Sequence, residues 1–170
     1  KQWIAFHTSP DLKKWTFRSR IEGFFECPDL FELPVRGRGD ERHWVLYAAD
    51  GKYVIGDFDG KEFRAKPGKH PLWYGNFYAA QTFSNTPDGR RVQVGWGQGI
   101  TFPGMPFNQQ MTTPVYLMLW KGTDPAEPDD IRLTVNKVCV PSNDTGLFNL
   151  QIDGGTAGTG ANAACGGTTG

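Results

Sequence analysis

Phe24-Phe25-Glu26-Cys27-Pro28-Asp29-Leu30-Phe31-Glu32-Leu33-Pro34 sets one carboxylate between aromatic residues and a short strand-forming run stiffened by prolines. The run 28–33 reads as a β-strand. If Phe24 and Phe25 collar Glu26, the charged carboxylate is disfavoured and its pKa rises toward neutrality. A carboxyl group in that state can protonate a departing oxygen.

Working outward, segments of the same type recur at 2–8, 15–19, 43–48, 53–58, 77–85, 91–98 and 115–120. Ser9-Pro10-Asp11, Asp50-Gly51-Lys52, Asp59-Gly60-Lys61 and Thr86-Pro87-Asp88-Gly89 separate them. Each supplies a Pro, Asp or Gly for a backbone turn that a strand cannot make. No helical apolar period of useful length interrupts the series. Many short strands at this spacing predict an all-β fold: a sandwich, a barrel or a propeller.

The sequence changes character after Gly122. Residues 123–130 are polar and proline-bearing, as in a linker. Strands are expected at 131–140 and 147–152, and 154–170 is a Gly/Thr/Ala/Asn tract with too little apolar area to order itself.

The 170 residues carry 18 Lys plus Arg against 18 Asp plus Glu, so no basic field points to nucleic acid or an anionic membrane. No apolar run reaches the length of a membrane span. Cys27, Cys139 and Cys165 show no metal-ligand spacing, and His7, His43 and His70 are scattered, so neither a metal nor another cofactor is expected. Aromatic residues make up 14% of the chain. They suit strands and also the flat apolar faces of sugars. The chain opens at Lys1 directly ahead of a strand, which reads as a cut within a domain.

Thr8-Ser9-Pro10-Asp11-Leu12-Lys13-Lys14-Trp15, Glu26-Cys27-Pro28-Asp29, His43-Trp44-Val45-Leu46 and Gly56-Asp57-Phe58-Asp59-Gly60 follow one another along the chain, and in that order they resemble motifs of glycoside hydrolase family 32, the invertases, levanases and inulinases. The first resembles the turn ahead of the family's acid/base strand, and the second its acid/base motif. The third and fourth are similar to the following hairpin. Phe77-Tyr78-Ala79-Ala80-Gln81-Thr82-Phe83, Arg91-Val92-Gln93-Val94-Gly95-Trp96 and Gly104-Met105-Pro106-Phe107-Asn108 resemble later segments, in the family's order. The resemblance implies a five-bladed β-propeller over 1–122, of which two to three blades are present, then the linker 123–130 and an atypical tail at 131–170. The tail resembles the start of a prealbumin-like repeat of bacterial surface proteins, which would pair Cys139 with Cys165.

By the same resemblance Glu26 is the acid/base of a retaining hydrolysis of sucrose or fructans, and the protein is extracellular or on the cell surface. Tyr78 and Trp96 fall where the family lines its fructose pocket, Trp96 reading equally as blade core. Asn76 stands where relatives often carry Asp. Asp29 reads as a hydrogen-bond acceptor near the turn or as a sugar contact. Cys27 reads as a small packing residue; Trp3, Trp15, Trp44 and Trp73 read as blade packing; Glu22, Glu32, Glu41 and Glu62 as solvated charges. The family's nucleophile motif W-x-N-D-P-N-G and its R-D-P motif are absent from these residues. The expectation is that preceding blades are needed to complete the site and that the chain alone is inactive. The alternative is a sugar-binding or cell-surface module without catalysis.

Overall fold

The computed structural model describes residues 2–122 and 130–137. They form twelve strands and, among the described residues, no helix. In chain order these are β1 (Trp3–Thr8), β2 (Thr16–Glu22), β3 (Asp29–Arg36), β4 (Arg42–Tyr47), β5 (Lys52–Phe58), β6 (Phe63–Ala65), β7 (His70–Pro71), β8 (Phe77–Phe83), β9 (Arg91–Gly97), β10 (Gln110–Met111), β11 (Val115–Lys121) and β12 (Ile131–Lys137).

β1 and β2 make a separate antiparallel hairpin. β3, β4, β5 and β6 follow one another as an antiparallel meander. A second antiparallel run is β8, β9, β11 and β12. One edge of β11 is divided between partners: Val115–Leu117 pairs with β9, and Leu119 and Trp120 run parallel to Val35 and Arg36 of β3.

The β3–β5 meander is covered on both faces, and its alternation shows how. Phe31, Leu33, Val35, Val45, Tyr47, Tyr53 and Ile55 pack with Val115, Leu117, Leu119, Ile131, Leu133 and Val135 of the second run. The intervening residues Leu46, Ala48 and Val54 turn the other way, onto Ile4 and Phe6 of the hairpin. Period-2 apolar positions on both faces are what a sheet between two others requires.

The strand pattern follows the turn residues as expected, with β6, β7 and β10 in addition. At two or three residues they carry no alternation, and their partners on β5 and β9 define them. Trp44 and Trp73 pack against the core. Trp3 and Trp15 do not: they are 42% and 57% exposed, which corrects the packing role read for them. Cys27 is exposed rather than a packing residue. The strand foreseen at 131–140 is present as Ile131–Lys137, hydrogen-bonded to β11 within the main sheet. The remaining readings beyond Lys137, the Cys139–Cys165 pair among them, and residues 123–129 of the linker lie outside the described residues.

Candidate active site

Glu26 lies not on a strand but in the loop between β2 and β3. Glu26 and Cys27 both have left-handed backbone, at φ 38° and 45°. Such geometry costs a non-glycine residue about 1–2 kcal/mol, so neighbouring groups must hold it. The Ala49 N–H donates to the Glu26 carbonyl at 3.3 Å. The Gln81 amide Nε2 donates to the Cys27 carbonyl at 3.0 Å. At the loop's start, Lys69 Nζ donates to the Gly23 carbonyl at 2.6 Å and stands 4.0 Å from the Phe24 ring centroid.

This turn undoes the aromatic collar. Phe24 is driven into the core, 3% exposed, while Phe25 is 38% exposed. The Glu26 side chain is exposed instead of enclosed. What meets it comes from the second run of strands: the Tyr78 hydroxyl donates to Glu26 Oε1. That bond, and secondarily desolvation and the Glu26 charge, push the Tyr78 hydroxyl up to about 12.

Tyr78 and Trp96 are directly opposed on β8 and β9, with rings edge to face at 6.3 Å. The register slips between Tyr78 and Gln81, where β8 carries one residue more than β9 and Ala79 has φ 48°. A bulge of this kind bends a strand and re-aims its side chains. The Ala79 N–H donates to the Ala49 carbonyl at 3.0 Å, so Ala49 ties the bulge to the Glu26 turn.

Asn76 sits just ahead of β8, exposed, its backbone carbonyl accepting from the Gln98 N–H at 2.8 Å. Asp29 Oδ2 accepts from the Thr82 N–H at 2.8 Å and the Thr82 hydroxyl at 2.7 Å. That hydroxyl in turn accepts from Arg91 at 2.8 Å. Asp29 thereby joins the start of β3 to β8. Glu26, Tyr78 and Trp96 are therefore brought together, with Asn76 at the same end of β8, whereas the Asp29 carboxylate is engaged by Thr82. Lys69, Gln81 and Ala49 escape a reading of the sequence because their partners lie 20 to 55 positions away and no local pattern marks them.

An apolar groove of about 640 Å³ lies elsewhere, lined by Ile4, Phe6, Trp15, Pro28 and Leu30 but by none of the clustered polar residues. Among the described residues no group of three or more His, Cys, Asp or Glu could hold a metal ion.

A family model described as the glycosyl hydrolases family 32 N-terminal domain matches residues 1–125. A levanase of Bacillus subtilis is 40% identical, the match covering 55% of this chain and 17% of the levanase. An extracellular exo-inulinase of Meyerozyma guilliermondii is 39% identical over 49% of this chain and 20% of its own length. The solved fructofuranosidase of Schwanniomyces occidentalis complexed with fructosylnystose superposes with a TM-score of 0.71 at 25% identity, covering 82% of this chain and 31% of that one. The chain spans a fifth or less of the length of the two curated relatives.

Proposed function

The chain belongs to glycosyl hydrolase family 32, and from that premise we propose that it carries the acid/base half of a fructose-releasing site in a β-propeller. The observation that supports the reading is the meeting of Glu26, Tyr78 and Trp96, from a loop and two strands, at one end of the second run of strands.

In a retaining hydrolysis, one carboxyl group protonates the leaving glycosidic oxygen while a second, about 5–5.5 Å away, attacks the sugar. Glu26 takes the first role. It gives its proton to the leaving oxygen, then removes one from the water that frees the fructosyl group. The Tyr78 hydroxyl orients it through the hydrogen bond to Oε1. The Trp96 ring supplies an apolar wall for the furanose, and Asn76 offers an amide to a sugar hydroxyl. Asp29 fixes the start of β3 through Thr82.

The names of the relatives, levanase, exo-inulinase and fructofuranosidase, favour sucrose or a fructan as substrate and an extracellular setting. The four-stranded runs β3–β6 and β8, β9, β11, β12 serve as two blades, and the β1–β2 hairpin as part of a third. The 170 residues contain no W-x-N-D-P-N-G nucleophile motif, so the chain by itself releases no fructose.

Two assays test this. Purified chain is incubated with sucrose, levan or inulin, with no fructose expected above the blank. A chimera that joins the family's preceding propeller segment ahead of residue 1 is expected to release fructose, and Glu26→Gln to abolish it. Turnover by the isolated chain, or a chimera indifferent to Glu26→Gln, contradicts the reading.

A further inference from the structure

Three non-glycine residues with left-handed backbone converge on this site: Glu26 and Cys27 in the loop, and Ala79 in the β8 bulge, at φ 38°, 45° and 48°. Besides the Tyr78–Glu26 hydrogen bond itself, two connections join the loop to the bulge. One is backbone, through Ala49, and does not depend on that residue's side chain. The other is the side chain of Gln81, the residue at which regular pairing with β9 resumes after the bulge.

Gln81 Nε2 lies 3.0 Å from the Cys27 carbonyl and 3.0 Å from its neighbour Ala80's carbonyl. A primary amide nitrogen has two hydrogens, so both are committed to carbonyl oxygens. The network also fixes the amide's orientation: the flipped form would set Oε1 against two acceptors. A single side chain thus spans the strained turn that bears Glu26 and the bulge that bears Tyr78.

We propose that Gln81 is a positioning residue for Glu26, its amide holding the Cys27 carbonyl so that the Glu26 carboxyl stays against the Tyr78 hydroxyl. The chemical meaning of that contact rests on Glu26 being the proton donor. The contact itself does not, and it is measured separately. Without the amide, the Cys27 carbonyl loses its donor and the loop is free to leave its left-handed conformation. Glu26 then swings away from Tyr78 while the strands on either side keep their pairing.

Tyr78 reports the contact, because the hydrogen bond to Glu26 is the chief cause that sets its hydroxyl at about 12; desolvation and the charges of Glu26, Cys27 and Asp50 act in the same direction. The full chain is labelled with 13Cζ-tyrosine, and the Tyr78 signal is assigned with Tyr78→Phe. At pH 10.5 a hydroxyl titrating at 12 is roughly 3% ionised and one titrating at 10 roughly 75%. Wild type is expected near the first value. Gln81→Met, which removes the amide, and Gln81→Asn, which withdraws it by one methylene, are expected well above the first value and toward the second, with desolvation and the charges of Cys27 and Asp50 holding them short of it. Gln81→Lys again offers N–H donors to the Cys27 carbonyl and is expected to restore the low fraction.

The proposal is overturned if Tyr78 stays un-ionised in Gln81→Met and in Gln81→Asn. It is equally overturned if Gln81→Lys ionises as far as Gln81→Met, since that makes Gln81 a space-filler. Failure of the acid/base reading is a different result: the chimera loses nothing with Glu26→Gln while these fractions behave as stated.

Discussion

Glu26 and Tyr78 are coupled through a single hydrogen bond, and each can be read from the other. Tyr78 is held protonated to about 12 against an ordinary value of 10. Its folded value is raised, so the stabilising contribution is fully present below pH 10 and is lost as pH rises through about 12. Glu26→Gln takes away the carboxylate charge and weakens the acceptor. Tyr78 is then expected to titrate clearly below 12 and toward 10, which NMR or ultraviolet difference absorbance measures. A hydroxyl that stays at about 12 in Glu26→Gln would show that burial rather than Glu26 sets it. This residue-scale picture was partly legible in advance. Glu26, Tyr78 and Trp96 stand out because their side chains suit sugar chemistry and their motifs occur in order. The aromatic collar that the sequence suggests around Glu26 does not form, because neighbours in sequence are not neighbours in space here. Two left-handed residues in succession send Phe24 inward and leave Phe25 and Glu26 outside.

At the scale of elements, turns and close approaches govern stability. Asp11 accepts the backbone N–H groups of Lys13 and Lys14, Asp59 those of Lys61 and Glu62, and Asp88 that of Arg90; these bonds hold all three carboxyls below the usual 3.8. Depressed folded values mean that their contribution is present above about 3.8 and disappears as pH falls through the folded values. Urea midpoints measured between neutral pH and pH 2.5 are expected to fall most steeply at the acid end. Asp59→Asn, which keeps an acceptor oxygen but cannot titrate, is expected to make the fall shallower; an unchanged slope would exclude Asp59 as a contributor. Gly56 answers to a different constraint. A Cβ there would stand 2.2 Å from the Arg64 carbonyl oxygen on the adjoining strand β6. Gly56→Ala is expected to cost about 2–4 kcal/mol through this overlap, read from denaturant unfolding; a loss under about 0.5 kcal/mol would contradict it. Strands of six to eight residues were legible because alternation and turn residues bound them. β6, β7 and β10 were not, because their partners rather than their own sequence make them strands.

Across the whole molecule, the meander β3–β5 is the central layer, and β12 closes one of its faces. Ile131, Leu133 and Val135 are buried there, and the Leu133 N–H donates to the Tyr53 hydroxyl at 3.1 Å. The change in composition at Gly122 concealed this, since a polar segment between strands reads as the end of a domain while pairing can resume beyond it. Three such side chains contribute about 1.5–3 kcal/mol each when fully buried. A chain ending at Gly122 is therefore expected to lose several kcal/mol and to unfold well below the melting temperature of the 170-residue chain. Equal melting temperatures would contradict that role for β12. The proposed division of labour, with Glu26 on this chain and its partner carboxylate elsewhere in the propeller, also belongs to this scale. Its most direct test is kcat/KM of the Glu26→Gln chimera on sucrose and on a nitrophenyl fructofuranoside, whose leaving group departs without a proton. A lost general acid predicts a fall of about 10²–10⁴-fold on sucrose and a much smaller one on the aryl fructoside. Equal falls on both substrates, or none on sucrose, would contradict the assignment of Glu26 as the proton donor.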